Sequence, residues 1–162
     1  MSVSLGPALP PDVATGLRQL SESRDQALIL VTVDGAGYPR LAFLSRSEIE
    51  VAGSSRLLVA LWATSESATN FGGRGKATLF YVHAGVPYSI RLACAAPTPI
   101  HMADGTSLLA FDATVEDVRS DEAAYAAVTG PMTFELNDPD AVLPRWRELN
   151  HRLAILADNE PK

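Results

Sequence analysis

Residues 56–82, RLLVALWATSESATNFGGRGKATLFYV, hold most of the side chains of this sequence that could do chemistry. An apolar run gives way to Ser65, Ser67, Thr69 and Asn70. Gly72-Gly73 and two cations, Arg74 and Lys76, follow before a second apolar run begins. Strand, short helix, strand is the natural parse. Hydroxyls and an amide at the start of a helix lie beside its unpaired backbone N–H groups, and together these are the donors a phosphate needs. The same residue types are also the preferred helix caps and turn formers, and spacing alone favours the cap. Arg40 is the other residue of interest. It follows Pro39 in the apolar run PRLAFLSR, and a charge there must reach solvent, an acid or a ligand because burying it unpaired is costly.

Other chemistries find little support. His83, His101 and His151 lie far apart and lack paired metal-ligand spacing, so no metal site is expected. Cys94 sits in a strand-like apolar run and reads as a buried, inert thiol. There is no Gly-x-Ser-x-Gly for hydrolysis and no Gly-x-Gly-x-x-Gly for a dinucleotide fold. Trp62 and Trp146 are expected in the core or at a dimer contact.

The whole chain sets the frame. Its 162 residues are 47% hydrophobic and 20% charged, a composition suited to one globular domain spanning 1–162. A net charge of −6 argues against nucleic acid or an anionic membrane as the main partner. A single cysteine gives no internal disulfide, the first residues do not read as a secretory signal, and no apolar run reaches membrane-spanning length. The expectation is a soluble cytoplasmic protein.

The elements that must position these residues follow in order. Residues 1–10 read as a loose Pro-rich lead. A helix opens at Pro11-Asp12 with Val13, Leu17 and Leu20 as its apolar stripe, weakened by Gly16. QALILVTV (26–33) reads as a strand buried on both faces. Asp34-Gly35-Ala36-Gly37 is a turn, and 39–46 is the returning strand, with Leu41, Phe43 and Ser45 on one face and Arg40, Ala42 and Leu44 on the other. Further strands are expected near 47–52, 56–62, 76–83, 88–95 and 108–118, with a loop or hairpin end at 96–106. Ser120 reads as the cap of a helix running to Gly130-Pro131. Pro144 suits the first turn of a final helix with the stripe Trp146, Leu149, Leu153 and Leu156. Six or seven consecutive strands joined by short turns favour an antiparallel sheet that closes on itself, flanked by helices. The fold class is mainly β with α.

In this order of elements, the chain resembles the pyridoxamine 5'-phosphate oxidase-like flavoproteins, the FMN-binding split β-barrels, over roughly 11–118. ALILVTVDGAGYPRLAFLS is similar to that family's opening hairpin, with its acid-Gly turn and a Pro before the second strand. SESATNF matches its Ser-x-Lys-x-x-Asn-Leu pattern at Ser65, Asn70 and Phe71, and RGKATLFYV is similar to its basic link and next strand. The resemblance implies FMN at a homodimer interface. It assigns the phosphate to Arg40, Ser45, Ser65 and Ser67, with Asn70 ending the motif and Arg74 and Lys76 as nearby cations.

Four departures qualify what is carried over. Ser67 stands where the motif has Lys, and Glu66 takes a position that is often basic. Ala60-Leu61 replaces a Tyr-Thr pair, and the family's C-terminal substrate-contacting Trp and Arg have no clear counterpart in 154–162. The expected function is therefore an FMN-binding, possible flavin-dependent oxidoreductase of unidentified substrate, not a pyridoxamine-phosphate oxidase, with no side chain assigned a catalytic role. A split-barrel binding or regulatory module without flavin, or a relative binding deazaflavin or haem, is the alternative.

Overall fold

The computed structural model describes residues 1–159; positions 160–162, the end of the 154–162 stretch, lie outside the described residues. In chain order the elements are β1 (Ser2–Gly6), α1 (Pro11–Leu17), β2 (Arg24–Gln26), β3 (Leu28–Val33), β4 (Pro39–Leu44), a 3-10 turn (Arg46–Glu48) and β5 (Ile49–Gly53). They continue with β6 (Arg56–Trp62), α2 (Glu66–Arg74), β7 (Lys76–His83), β8 (Val86–Cys94), β9 (Thr98–His101), β10 (Ser107–Asp121), β11 (Thr133–Glu135) and α3 (Pro139–Asp158). The main sheet runs β4-β3-β7-β8-β10-β6-β5, with β1 and β9 also on β10, and every pairing among the described residues is antiparallel. It curls into a half-barrel with helices on its flanks, the split-barrel topology. Among the described residues no ladder joins β4 to β5, so the barrel is split there.

Two cores follow from the curl. Inside it, Leu28, Leu30, Leu57, Val59, Leu79, Ile90, Leu92, Phe111 and Val115 from alternate strand positions meet Val13 and Leu17 of α1 and Phe71 of α2. Outside it, Leu149 and Leu153 of α3 cover Leu58, Ala60, Leu108 and Ala110. Among the described residues no element covers the outer face of β3 and β4, where Val33, Leu41 and Phe43 are exposed. β3 is therefore buried on one face only, and not on both as its apolar sequence suggested. None of the helices among the described residues is long and apolar enough to cross a membrane.

Several local expectations are corrected by pairing. Residues 2–6 form a strand because β10 runs on to Asp121 and needs a partner for its last residues. Ser120 lies opposite both Val3 and Tyr88, so it cannot cap a helix. The stretch after it stays irregular, with Tyr125 and Val128 exposed and no apolar face to bury. Residues 98–101, expected as loop, pair with β10, and β11 pairs with β2. α1 ends at Leu17, which leaves Leu20 exposed. The last helix starts earlier than Pro144: Asp138 accepts the Ala141 N–H at 3.2 Å as its cap, and Pro139 occupies the first turn.

Gly16 has a packing role that its helix propensity hides. A Cβ there would lie 2.5 Å from Tyr81 Oη and 2.8 Å from His83 Nδ1. Tyr81 is buried in the core and 3.4 Å from His83 Nδ1, so its hydroxyl has little room to retreat. Gly16→Ala should therefore destabilise the fold by roughly 1–2 kcal/mol despite the better helix former. In chemical denaturation, Tyr81→Phe in the same chain should recover part of that loss.

Candidate functional site

The segment after Trp62 forms a capped helix. Ser65 has extended backbone (φ −76°, ψ 146°), and its hydroxyl accepts the Ala68 N–H at 3.1 Å. Gly75 closes the other end in the left-handed region at φ 68°, its N–H bonded to the Phe71 carbonyl at 2.8 Å. The inward face of α2 is buried. Phe71 stacks on Phe111 with centroids 4.8 Å apart, Ser67 is buried, and Asn70 Nδ2 donates to Thr32 Oγ1 at 3.3 Å. The cap reading of Ser65 is therefore fulfilled, while its hydroxyl keeps a proton to donate.

Arg40 comes to the same place from β4. It lies opposite Thr32 in the β3–β4 ladder, on the face that α2 covers. Its Nε is 3.4 Å from Glu66 Oε2 in the first turn of α2, and both side chains are about half exposed. An exposed pair at that distance contributes about 0–1 kcal/mol. Arg74 binds the far end of α2 to the hairpin by donating to the Asp34 carbonyl at 2.6 Å. Arg40, Ser65, Ser67 and Asn70 thus gather around α2, with Arg74 at its other end. Lys76 does not join them: its ammonium pairs with Glu116, on the side of the sheet shared with Val31 and Val33. Ser45 lies beyond the end of β4, where its N–H and hydroxyl donate to Glu48 at 2.6 and 3.1 Å.

Beside Ser45 opens a groove of about 690 Å³. Its walls come from the end of β4 (Phe43), the 3-10 turn (Glu48), the end of β6 (Trp62), β11 (Phe134) and the start of α3 (Arg145, Trp146). Phe134 meets Trp146 edge to face at 5.8 Å, and the Arg145 guanidinium lies 5.6 Å from the Trp62 ring centroid. Trp62 is thus neither core nor buried. Burial pushes the Glu48 carboxyl up from its ordinary value, against the opposing effects of the Ser45 hydrogen bonds and of Arg145. Sequence reading singled out neither Glu48 nor Arg145, because the groove joins five elements that are distant in sequence. Cys94 is half-buried rather than buried, and burial raises its thiol pKa.

With this geometry in view, the chain can be set beside known proteins. It is 30% identical over 129 residues to the uncharacterized protein YclD of Bacillus subtilis, covering 80% of this chain and 83% of YclD. The chain belongs to the YclD family. No family model matches it. A crystal structure from Lactobacillus delbrueckii, of a candidate pyridoxamine 5'-phosphate oxidase, superposes with a TM-score of 0.52 at 14% identity, over 71% of this chain and 97% of that one. An FMN-binding protein from Syntrophomonas wolfei gives 0.46 at 12% identity, over 61% and 79%. The YclD-family chain therefore has the fold of the pyridoxamine 5'-phosphate oxidase-like split barrels.

The buried carboxyl of Glu48 makes a prediction about pH. Because its folded-state pKa is raised above the ordinary 4.5, the folded chain holds this proton more tightly than the unfolded one. Its contribution is thus full below pH 4.5 and is lost as pH rises through the folded pKa. Glu48→Gln should make thermal stability fall less than wild type between acidic and neutral pH, read from melting temperatures across that range.

Proposed function

We propose that this protein is a homodimeric FMN-binding split-barrel protein that works as a flavin-dependent oxidoreductase in the cytoplasm. The observation that carries this reading is the meeting of Arg40 with the first turn of α2, where Ser65 and Ser67 bring hydroxyls and the helix brings unpaired amides. The donor set fits a phosphate on one condition: Glu66 must give up Arg40. Its weak, half-exposed pairing allows that, and a phosphate would replace one carboxylate contact with several charge-assisted ones.

β6 ends at Trp62 only three positions before Ser65, which makes Trp62 the aromatic side chain nearest in sequence to this donor set, whereas Phe43 faces the side of β4 away from Arg40. Bound flavin supplies reversible electron transfer, while the chain binds it, orients it and limits water at the ring. Arg74 acts indirectly by holding α2 against the hairpin. Lys76 and Ser45, committed to Glu116 and Glu48, stand outside the phosphate set in this reading.

The uncovered outer face of β3 and β4 supports the dimer. Val33 and Leu41 give this face exposed apolar surface that a second copy would remove from water. Leu41→Asp should convert the dimer to monomer in light scattering, while leaving the circular dichroism of the fold unchanged.

The cofactor reading is tested by flavin-fluorescence titration. Arg40→Ala should weaken FMN binding by roughly 1.5–3 kcal/mol, whereas Glu66→Gln should strengthen it by removing the competing carboxylate. A colourless protein whose melting temperature and flavin emission both ignore added FMN would instead assign the scaffold to the flavin-free binding class, the alternative that the Arg40–Glu66 pair favours.

A further inference from the structure

The groove beside Trp62 has a composition that the phosphate site does not explain. Its walls are aromatic, from Phe43, Trp62, Phe134 and Trp146, and its volume of about 690 Å³ lies within the range of small-molecule pockets. Four carboxylates stand in or near it, and each is already engaged. Glu135 takes a 2.7 Å hydrogen bond from Arg24, and Asp138 caps α3. Glu48 holds two donors from Ser45, and burial disfavours its charge. Asp104 accepts the Thr106 N–H at 2.9 Å. Arg145 is different. Its nearest carboxylate, that of Asp104, is 4.0 Å away, beyond hydrogen-bond reach, and its guanidinium lies over the Trp62 ring at the mouth of the groove.

We propose that this groove binds a planar aromatic carboxylate, with the ring between the Trp62 and Phe134–Trp146 walls and the carboxylate on the Arg145 guanidinium. Two physical points select this class. Flat aromatic walls reward stacking of a flat ring, and a guanidinium that makes no close ion pair rewards a forked anion that it can bind with two N–H groups. Bulky aliphatic acids lack the first match and neutral aromatics the second. As a ligand site the groove stands by itself; as the substrate site of an oxidoreductase it rests on the flavin reading, because Trp62 on its wall lies three residues before Ser65.

The chain has two tryptophans, and both line this groove, so intrinsic emission reports on it directly. The probe is 4-nitrobenzoate, a quencher, with 4-nitrobenzamide as its uncharged counterpart, titrated without FMN. Saturable quenching is expected, with a dissociation constant at least about tenfold lower for the acid than for the amide. Arg145→Gln should abolish that preference. Asp104→Asn, which removes the nearest competing carboxylate, should enlarge it and provides a second reading should Arg145→Gln fold poorly. Equal or non-saturable quenching by the two probes, or an unchanged preference in both variants, overturns the proposal. So does tryptophan emission that shifts with protein concentration alone while the probe has no effect, which would mean that a second copy fills the groove. Because FMN is absent, loss of this signal and loss of FMN binding in the Arg40→Ala titration are separate outcomes.

Discussion

β10 must satisfy backbone hydrogen bonds along both edges over fifteen residues, and the rest of the molecule is arranged around that need. One edge is filled in tandem by β9 and then β8, the other by β6 and then β1. The change of partners is accompanied by a break in register between Val115 and Asp117, where the Ser55 carbonyl accepts the Val115 N–H at 2.9 Å. A bulge of this kind bends a strand and strengthens its twist, which helps a sheet to curl. The curl creates an inside for Phe111, Phe71 and α1, and an outside that α3 covers in part.

This geometry separates two regions that lie close in sequence. α2 follows β6 and rests on the β3–β4 hairpin, so the first turn of α2, with Ser65 as its cap, comes to Arg40. Trp62, only three residues earlier, points instead into the groove that α3 and β11 complete. The site near α2 is governed by exposed charge, with Arg40 and Glu66 competing in water, where each interaction is weak and exchangeable. The groove is governed by aromatic surface and by two ionisable groups near apolar walls, Glu48 and Arg145. Glu66 sits where the resemblance leads one to expect a cation. Its pairing with Arg40 makes the charge balance of the first site self-contained until an anion displaces it.

The parts of the fold that were legible in the sequence are those set by local rules. The Asp34–Gly37 turn formed as read, with Asp34 Oδ1 accepting the N–H groups of Ala36 and Tyr38 at 2.9 Å each and Gly37 at φ 89°. Alternation on PRLAFLSR correctly put Leu41 and Phe43 opposite Arg40 and Leu44. The Ser65 cap and the stripe of the last helix were likewise readable from residue type and period. What failed did so through long-range pairing. Ser120, Ala123 and Ala124 have the local grammar of a helix start, but β1 and β8 claim the backbone of Ser120 as part of β10.

By itself, then, the sequence determined the strand-rich antiparallel class, the opening hairpin, the capped helix at Ser65 and a family resemblance that directed attention to Arg40. These depend on residues within a few positions of one another, whose propensities and periods are not overridden. Only the tertiary structure decided that Glu66 neutralises Arg40, that Lys76 lies on the other side of the sheet, and that Glu48, Trp62, Phe134 and Arg145 share one groove. Their proximity is produced by the curl of the sheet and the docking of α3. A one-dimensional pattern does not encode which side chains a curved sheet brings together, because that is set by the register of strands distant in sequence, such as β6 and β10.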